Sequence, residues 1–212
     1  MLTNYFEIVE RFLRLKKDHL DRAEIEYREN QLEVKFPESM IDFYEFFGNN
    51  IEVLHAYYRI KKLEEFEIQN NGLIFGYGHQ DENTFGILLN QMSFERPQIQ
   101  KYDFNMKNWY VESSSCHRFF LNIACWQVLN TMPCIATVGI KESKLDNILD
   151  GKLSIISKER PLYKSYDVYS YYKEESILAC YIAPLQELYV SSLDKIHLEN
   201  IEDELKLELD WV

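Results

Sequence analysis

Residues 73–89 read LIFGYGHQDENTFGILL. Leu73-Ile74-Phe75 and Phe85-Gly86-Ile87-Leu88-Leu89 are short apolar runs on either side of a polar, glycine-containing connection from Gly76 to Thr84. Two antiparallel strands joined by a long hairpin loop have this pattern. Downstream, Ile99 to Phe104 and Trp109 to Val111 are spaced as further short strands. Upstream, Val53, His55, Tyr57 and Arg59 alternate with Leu54, Ala56, Tyr58 and Ile60, which predicts a strand with two buried faces.

Helical patterns bracket this run of strands. Leu2, Tyr5, Phe6, Val9, Phe12 and Leu13 fall on one face of a helix over residues 2–17, and Lys16 and Lys17 suit its negative end. Residues 18–35 are highly charged and finish in Leu32-Glu33-Val34-Lys35-Phe36, a short strand or an extended approach. Pro37 then opens a largely buried helix that Gly48 can close in the left-handed conformation. Ser113-Ser114-Ser115 offers N-cap oxygens to a helix over Cys116–Asn130 whose apolar residues run nearly all the way round, which makes it central. A segment near Ile135–Ile140, a helix over Lys141–Asp150, a tyrosine-rich region, a strand at Ile177–Ile182 and an acidic helix over Glu199–Leu209 complete the chain. The order is that of an α+β fold, a mainly antiparallel twisted sheet packed by helices, in one domain over residues 1–212.

Apolar residues make up 46% of the 212, with 15 Tyr and 13 Phe, enough to bury a large core without metal or disulfide staples. The four cysteines have no CxxC pair or ligand spacing and read as reduced, buried small hydrophobes. No apolar run approaches the ~20 residues that cross a bilayer, and the N-terminus lacks a basic, then apolar, leader, so a cytoplasmic protein with no membrane partner is expected. The formal charge is −12. Residues 187–212 hold eight acids against Lys195 and Lys206, half of that excess. Direct nucleic-acid binding needs a basic surface and is disfavoured, whereas an acidic domain suits a basic protein partner.

In this order the elements resemble the SUKH superfamily, the group related to the fungal cell-wall-assembly regulator that includes many bacterial immunity proteins. Phe36-Pro37-Glu38 and Phe47-Gly48-Asn49 are similar to the ends of the family's Leu-Pro helix. Leu73 to Gln80 followed by Phe85-Gly86-Ile87 is similar in spacing to its apolar strand, Glu-Asn-Gln turn and Trp-Gly-Ile strand. Arg96-Pro97-Gln98-Ile99 stands where the family has Asp-Pro-Pro-Val, Trp109 where a Trp is common, and Leu207 to Val212 resembles its ending. The turn acids are Tyr77 and Gly78 here, its Asn is His79, its Trp is Phe85 and its Asp is Arg96, while Gln80 and Gly86 are retained. Residues kept in a strand and its turn serve the sheet before any partner, so the resemblance carries fold further than site. It implies an immunity protein that binds and neutralises a cognate bacterial toxin, often a nuclease, without catalysis. The alternative is a regulatory or scaffold protein that binds host proteins.

The chemistry-bearing residues point the same way. His79, Asp81 and Glu82 share the hairpin loop and could ligate a metal or share a proton, but a solvated loop explains them as well, and metal sites want more ligands at regular spacing. Cys116 and His117 are helix neighbours that do not face one another. Gly76-x-Gly78 is not a dinucleotide fingerprint, and no P-loop, nucleophile elbow or His-Glu-x-x-His motif occurs. No catalytic residue, metal or cofactor is expected. The partner-binding candidates are Glu199, Glu202, Asp203 and Glu208 as an electronegative surface, Tyr166, Tyr169 and Tyr171 from the group Tyr163–Tyr172 as aromatic anchors, and Asp81 and Glu82 on the loop. The same acids could be only a solvated helix face, and the same tyrosines could pack over the sheet.

Overall fold

The computed structural model describes residues 2–13, 18–78, 83–157, 168–174 and 176–212. Within them, six strands build a first sheet: β1 (Arg59–Ile60), β2 (Glu67–Gln69), β3 (Gly72–Tyr77), β4 (Asn83–Leu88), β5 (Ile99–Asp103) and β6 (Asn108–Ser113). Its order is β1-β3-β4-β5-β6, with β2 also on β3, and every pairing is antiparallel. A second antiparallel sheet is formed by β7 (Cys134–Gly139), β8 (Ser154–Ser157), β9 (Val168–Lys173), β10 (Ile177–Ile182), β11 (Glu187–Ser192) and β12 (Asp210–Trp211), in the order β12-β7-β11-β10-β9-β8. The expected α+β class is thus observed, with two sheets where one was expected.

The helices are α1 (Thr3–Glu10), α2 (Arg22–Leu32), α3 (Glu38–Phe47), α4 (Ile51–Leu54), α5 (Cys116–Thr131), α6 (Glu142–Leu149) and α7 (Lys195–Leu205). Apolar on nearly all sides, α5 lies between the sheets. Phe119 and Phe120 meet Phe75 of β3 at ring-centroid distances of 5.8 and 5.3 Å, and Phe119 meets Phe85 of β4 at 5.2 Å. On its other side Trp126 meets Tyr189 of β11 at 5.0 Å. Strand alternation divides the second sheet's side chains between two apolar clusters. Leu178, Cys180 and Ile182 join the cluster around α5, while Ala179, Tyr181, Leu188 and Val190 join Leu145, Leu149, Leu198 and Ile201 of α6 and α7. A single core was expected, and these two clusters on opposite faces of one sheet take its place.

In the first sheet, Trp109 lies across two glycines. A Cβ on Gly72 would sit 2.6 Å from its ring and one on Gly86 2.8 Å, and the indole N–H donates to the carbonyl of Asn70 at 2.9 Å. Gly86 and Trp109, both carried by the resemblance, therefore have a packing role in this chain.

Four expectations need correction. The alternating stretch 52–60 is not a strand: Asn50 accepts from the Val53 amide and starts α4, and only Arg59–Ile60 pair with β3. Gln127 of α5 makes this irregular path possible. Fully buried, it donates through Nε2 to the carbonyls of Val53, Leu54 and Tyr58 and accepts at Oε1 from the amides of Tyr57 and Tyr58. Residues 22–32 form a helix unforeseen in the sequence, because only Ile25 and Glu29 of α2 are fully buried and no apolar stripe marks it. Gly48 is not left-handed: its φ is −61°, and a Cβ there would lie 2.5 Å from the carbonyl oxygen of Tyr44, so close packing is the reason for glycine. The final helix runs four residues earlier than expected, because Asp194 caps it through the Ile196 amide and Lys206 ends it at φ 56°.

Candidate protein-binding surface

Leu198, Ile201 and Leu205 turn α7 toward the second sheet, and the 3.6-residue period leaves Glu199 and Asp203 one turn apart on the exposed side. The expected acids then separate. Glu202 is half-buried and its carboxylate accepts from the Leu209 amide at 2.8 Å, so it holds the C-terminal tail against the helix. Glu199 sits 3.3 Å from Lys195, an exposed pair whose charges offset one another and which adds little to stability. Asp203 and Glu208 are exposed, and their carboxylates make no hydrogen bond or ion pair among the described residues. Neighbouring Glu204 is taken up by Lys173. Lys195 also lies 5.1 Å from the ring of Trp211, which is half exposed.

Tyr169 and Tyr171 are not surface anchors. Their exposures are 1% and 2%, and both belong to the cluster beneath α6 and α7. The hydroxyl of Tyr169 donates to Glu142 at 2.9 Å and its ring stacks on Tyr181, which donates to the carbonyl of Ile140 at 2.8 Å. The Tyr171 hydroxyl is buried with no hydrogen-bond partner among the described residues, and burial, then the nearby Asp146 carboxylate, pushes its pKa well up. Packing over the sheet, the other reading of these tyrosines, is what the chain uses them for. Tyr163, Tyr166, His79, Asp81 and Glu82 lie outside the described residues.

Cys116 is buried with Sγ 2.9 Å from the hydroxyl of Ser39, and burial raises its thiol pKa, the reverse of what activates a nucleophile. Burial also pushes Cys125 up to about 12. Among the described residues no three His, Cys, Asp or Glu side chains converge as metal ligands, and no helix is long and apolar enough to cross a membrane.

A second surface was not anticipated. Between α2 and the turn Leu63–Glu65 runs a groove of about 610 Å³, walled by Ala23, Glu24, Tyr27 and Gln31 on one side and by Lys62 and Glu64 on the other. Residues 18–67, which include both walls, carry thirteen acids against six bases, a larger excess than that of residues 187–212. Spread over fifty residues and interleaved with bases, this charge gives no obvious run in the sequence. No family model, curated protein or solved structure matches this chain.

Proposed function

We propose that the chain is a non-catalytic binding protein of the SUKH type, an immunity protein that neutralises a basic protein toxin by occupying its active site or the approach to it. The observation that carries this reading is the display of carboxylates that the fold does not use. Asp203 and Glu208 at one end, and Glu24 and Glu64 at the groove, are exposed and have no intramolecular partner among the described residues. Charges left free in this way speed the encounter with a partner of opposite sign and select against partners of the same sign. The motifs around Pro37, Gly86 and Trp109 add the SUKH expectation of a toxin partner.

The test is calorimetric titration with an inactivated C-terminal domain encoded by the gene immediately upstream, at low and at physiological salt, with stopped-flow association alongside. One-to-one binding is expected, with association slowed as salt rises. An upstream product that is not a toxin, or a toxin domain that gives no heat, would move the reading to the regulatory or scaffold alternative.

A further inference from the structure

Asn71-Gly72 is the one asparagine–glycine pair in the chain, and it sits at the tip of the β2–β3 hairpin. Glycine has no side chain to shield its own nitrogen, so this pair is the one most open to spontaneous deamidation. In that reaction the Gly72 nitrogen bonds to the side-chain carbonyl carbon of Asn71. The side-chain nitrogen leaves as ammonia, taking the proton that Gly72 gives up. Water then opens the succinimide at either carbonyl, which leaves aspartate or isoaspartate with no change of oxidation state. Asn71 is exposed, so solvent reaches it.

The fold opposes the first of these steps. Asn70 and Asn71 have φ of 51° and 61° between the paired residues Gln69 and Gly72, the pattern of a two-residue type I′ hairpin. In such a turn the N–H of the fourth residue, here Gly72, faces the carbonyl of the first, here Gln69. To attack, the Gly72 nitrogen must swing about the Asn71 Cα–C bond toward the side chain. The peptide unit is planar, so the Asn71 carbonyl has to swing with it. That carbonyl accepts from the Leu89 amide at 2.9 Å. The carbonyl of Asn70 accepts from the Trp109 indole N–H at 2.9 Å, and the same ring stands 2.6 Å from where a Gly72 Cβ would be. Both carbonyls of the turn are therefore tied to residues outside the hairpin, and Trp109 reaches it from β6 by crossing Gly86 of β4.

We propose that Asn71 is a latent deamidation site locked by Trp109 and Leu89, so that modification proceeds only when this corner of the first sheet opens. The consequence runs one way. An isoaspartyl residue adds a carbon to the main chain inside a two-residue turn, and the spacing that lets both carbonyls reach Leu89 and Trp109 is lost. A molecule that has stayed open long enough to react is thereby marked and kept from closing again. This assignment is independent of which partner the chain binds.

Incubation of the full chain at mildly alkaline pH, with mass-spectrometric mapping of the peptide that holds Asn71, tests it. Deamidation at Asn71 is expected to run at least about a hundredfold slower in the folded chain than in the same chain unfolded in guanidinium chloride. Trp109→Phe removes the indole donor and keeps an aromatic ring. It should speed the reaction in the folded protein at least about fivefold, with circular dichroism and thermal melting establishing that the variant is folded. Isoaspartate formation at Asp150-Gly151, beyond the end of α6 and outside the first sheet, should keep the parent's rate. If Trp109→Phe does not fold, the parent decides: below its unfolding midpoint, exchange of the Trp109 indole N–H and deamidation of Asn71 should rise with denaturant at the same slope. Different slopes would overturn the proposal, and so would a folded chain that deamidates as fast as the unfolded one. An unaltered rate in folded Trp109→Phe, or equal acceleration at Asn71 and Asp150, would overturn it as well.

Discussion

Helices α5 and α2 are held in place by opposite means. The sixteen residues of α5 are apolar on almost every side and lie between the two sheets, so burial holds them. Of the eleven residues of α2 only Ile25 and Glu29 are fully buried, with Leu32 packed at the core's edge, so side-chain clamps carry much of its attachment. A buried helix must satisfy any polar group it carries within the fold, which makes each one expensive to alter. A clamped helix can stand off from its neighbours, and the space between becomes a groove. Structural demand in this chain is therefore concentrated on α5, while α2 borders an open groove.

The sharpest way to break that contrast is Gln127→Leu on α5. It keeps the bulk but leaves buried backbone groups of residues 53–58 without partners, at a penalty of about 1–3 kcal/mol each when water cannot replace the lost bond. A loss of about 3 kcal/mol or more is expected in urea unfolding, with the melting temperature down by roughly 6–12 °C. A loss under about 1 kcal/mol would mean that the 53–58 segment supports itself. Glu29→Ala comes next, at about 2 kcal/mol, because it orphans the buried Phe36 amide and frees Lys35.

Arg28→Ala should cost about 1 kcal/mol, since the Glu64 carbonyl that it leaves is exposed and those of Leu63 and Phe66 are only partly buried. Its informative readout is native-state hydrogen exchange: amides of 22–32 should exchange faster while those of 116–131 keep their protection. Equal loosening of both helices would show that the clamp is part of the global core. The smallest effect is that of salt. Raising ionic strength should accelerate exchange in α2 slightly, because its Arg22 pairs are exposed and screened, and leave α5 unchanged.

The same contrast explains what could be read in advance. α5 and α3 announced themselves through dense apolar residues with Ser115 and Pro37 at their starts, and the 73–89 hairpin through its two apolar runs. α2 was hidden because its partners are backbone carbonyls and carboxylates up to 38 residues away. The stretch 52–60 misled because its alternation matches a strand, while its backbone partner is a side chain some 70 residues on. Among the candidate site residues, Asp203 and Glu208 are exposed, Glu202 is spent on Leu209, and Tyr169 and Tyr171 face inward. Composition marks tyrosines as able to anchor a partner or fill a core, and only the register of β9 on β10 decides between them.

Local order and total charge are properties of neighbouring residues, so the amino-acid sequence determined the α+β class, the central helix, the hairpin and the acidic character of the chain. Pairings between distant residues have no local period, so the tertiary structure alone decided the second sheet's two-sided burial, the clamped helix, the inward turn of Tyr169 and Tyr171 and the groove between α2 and the turn at residues 63–65.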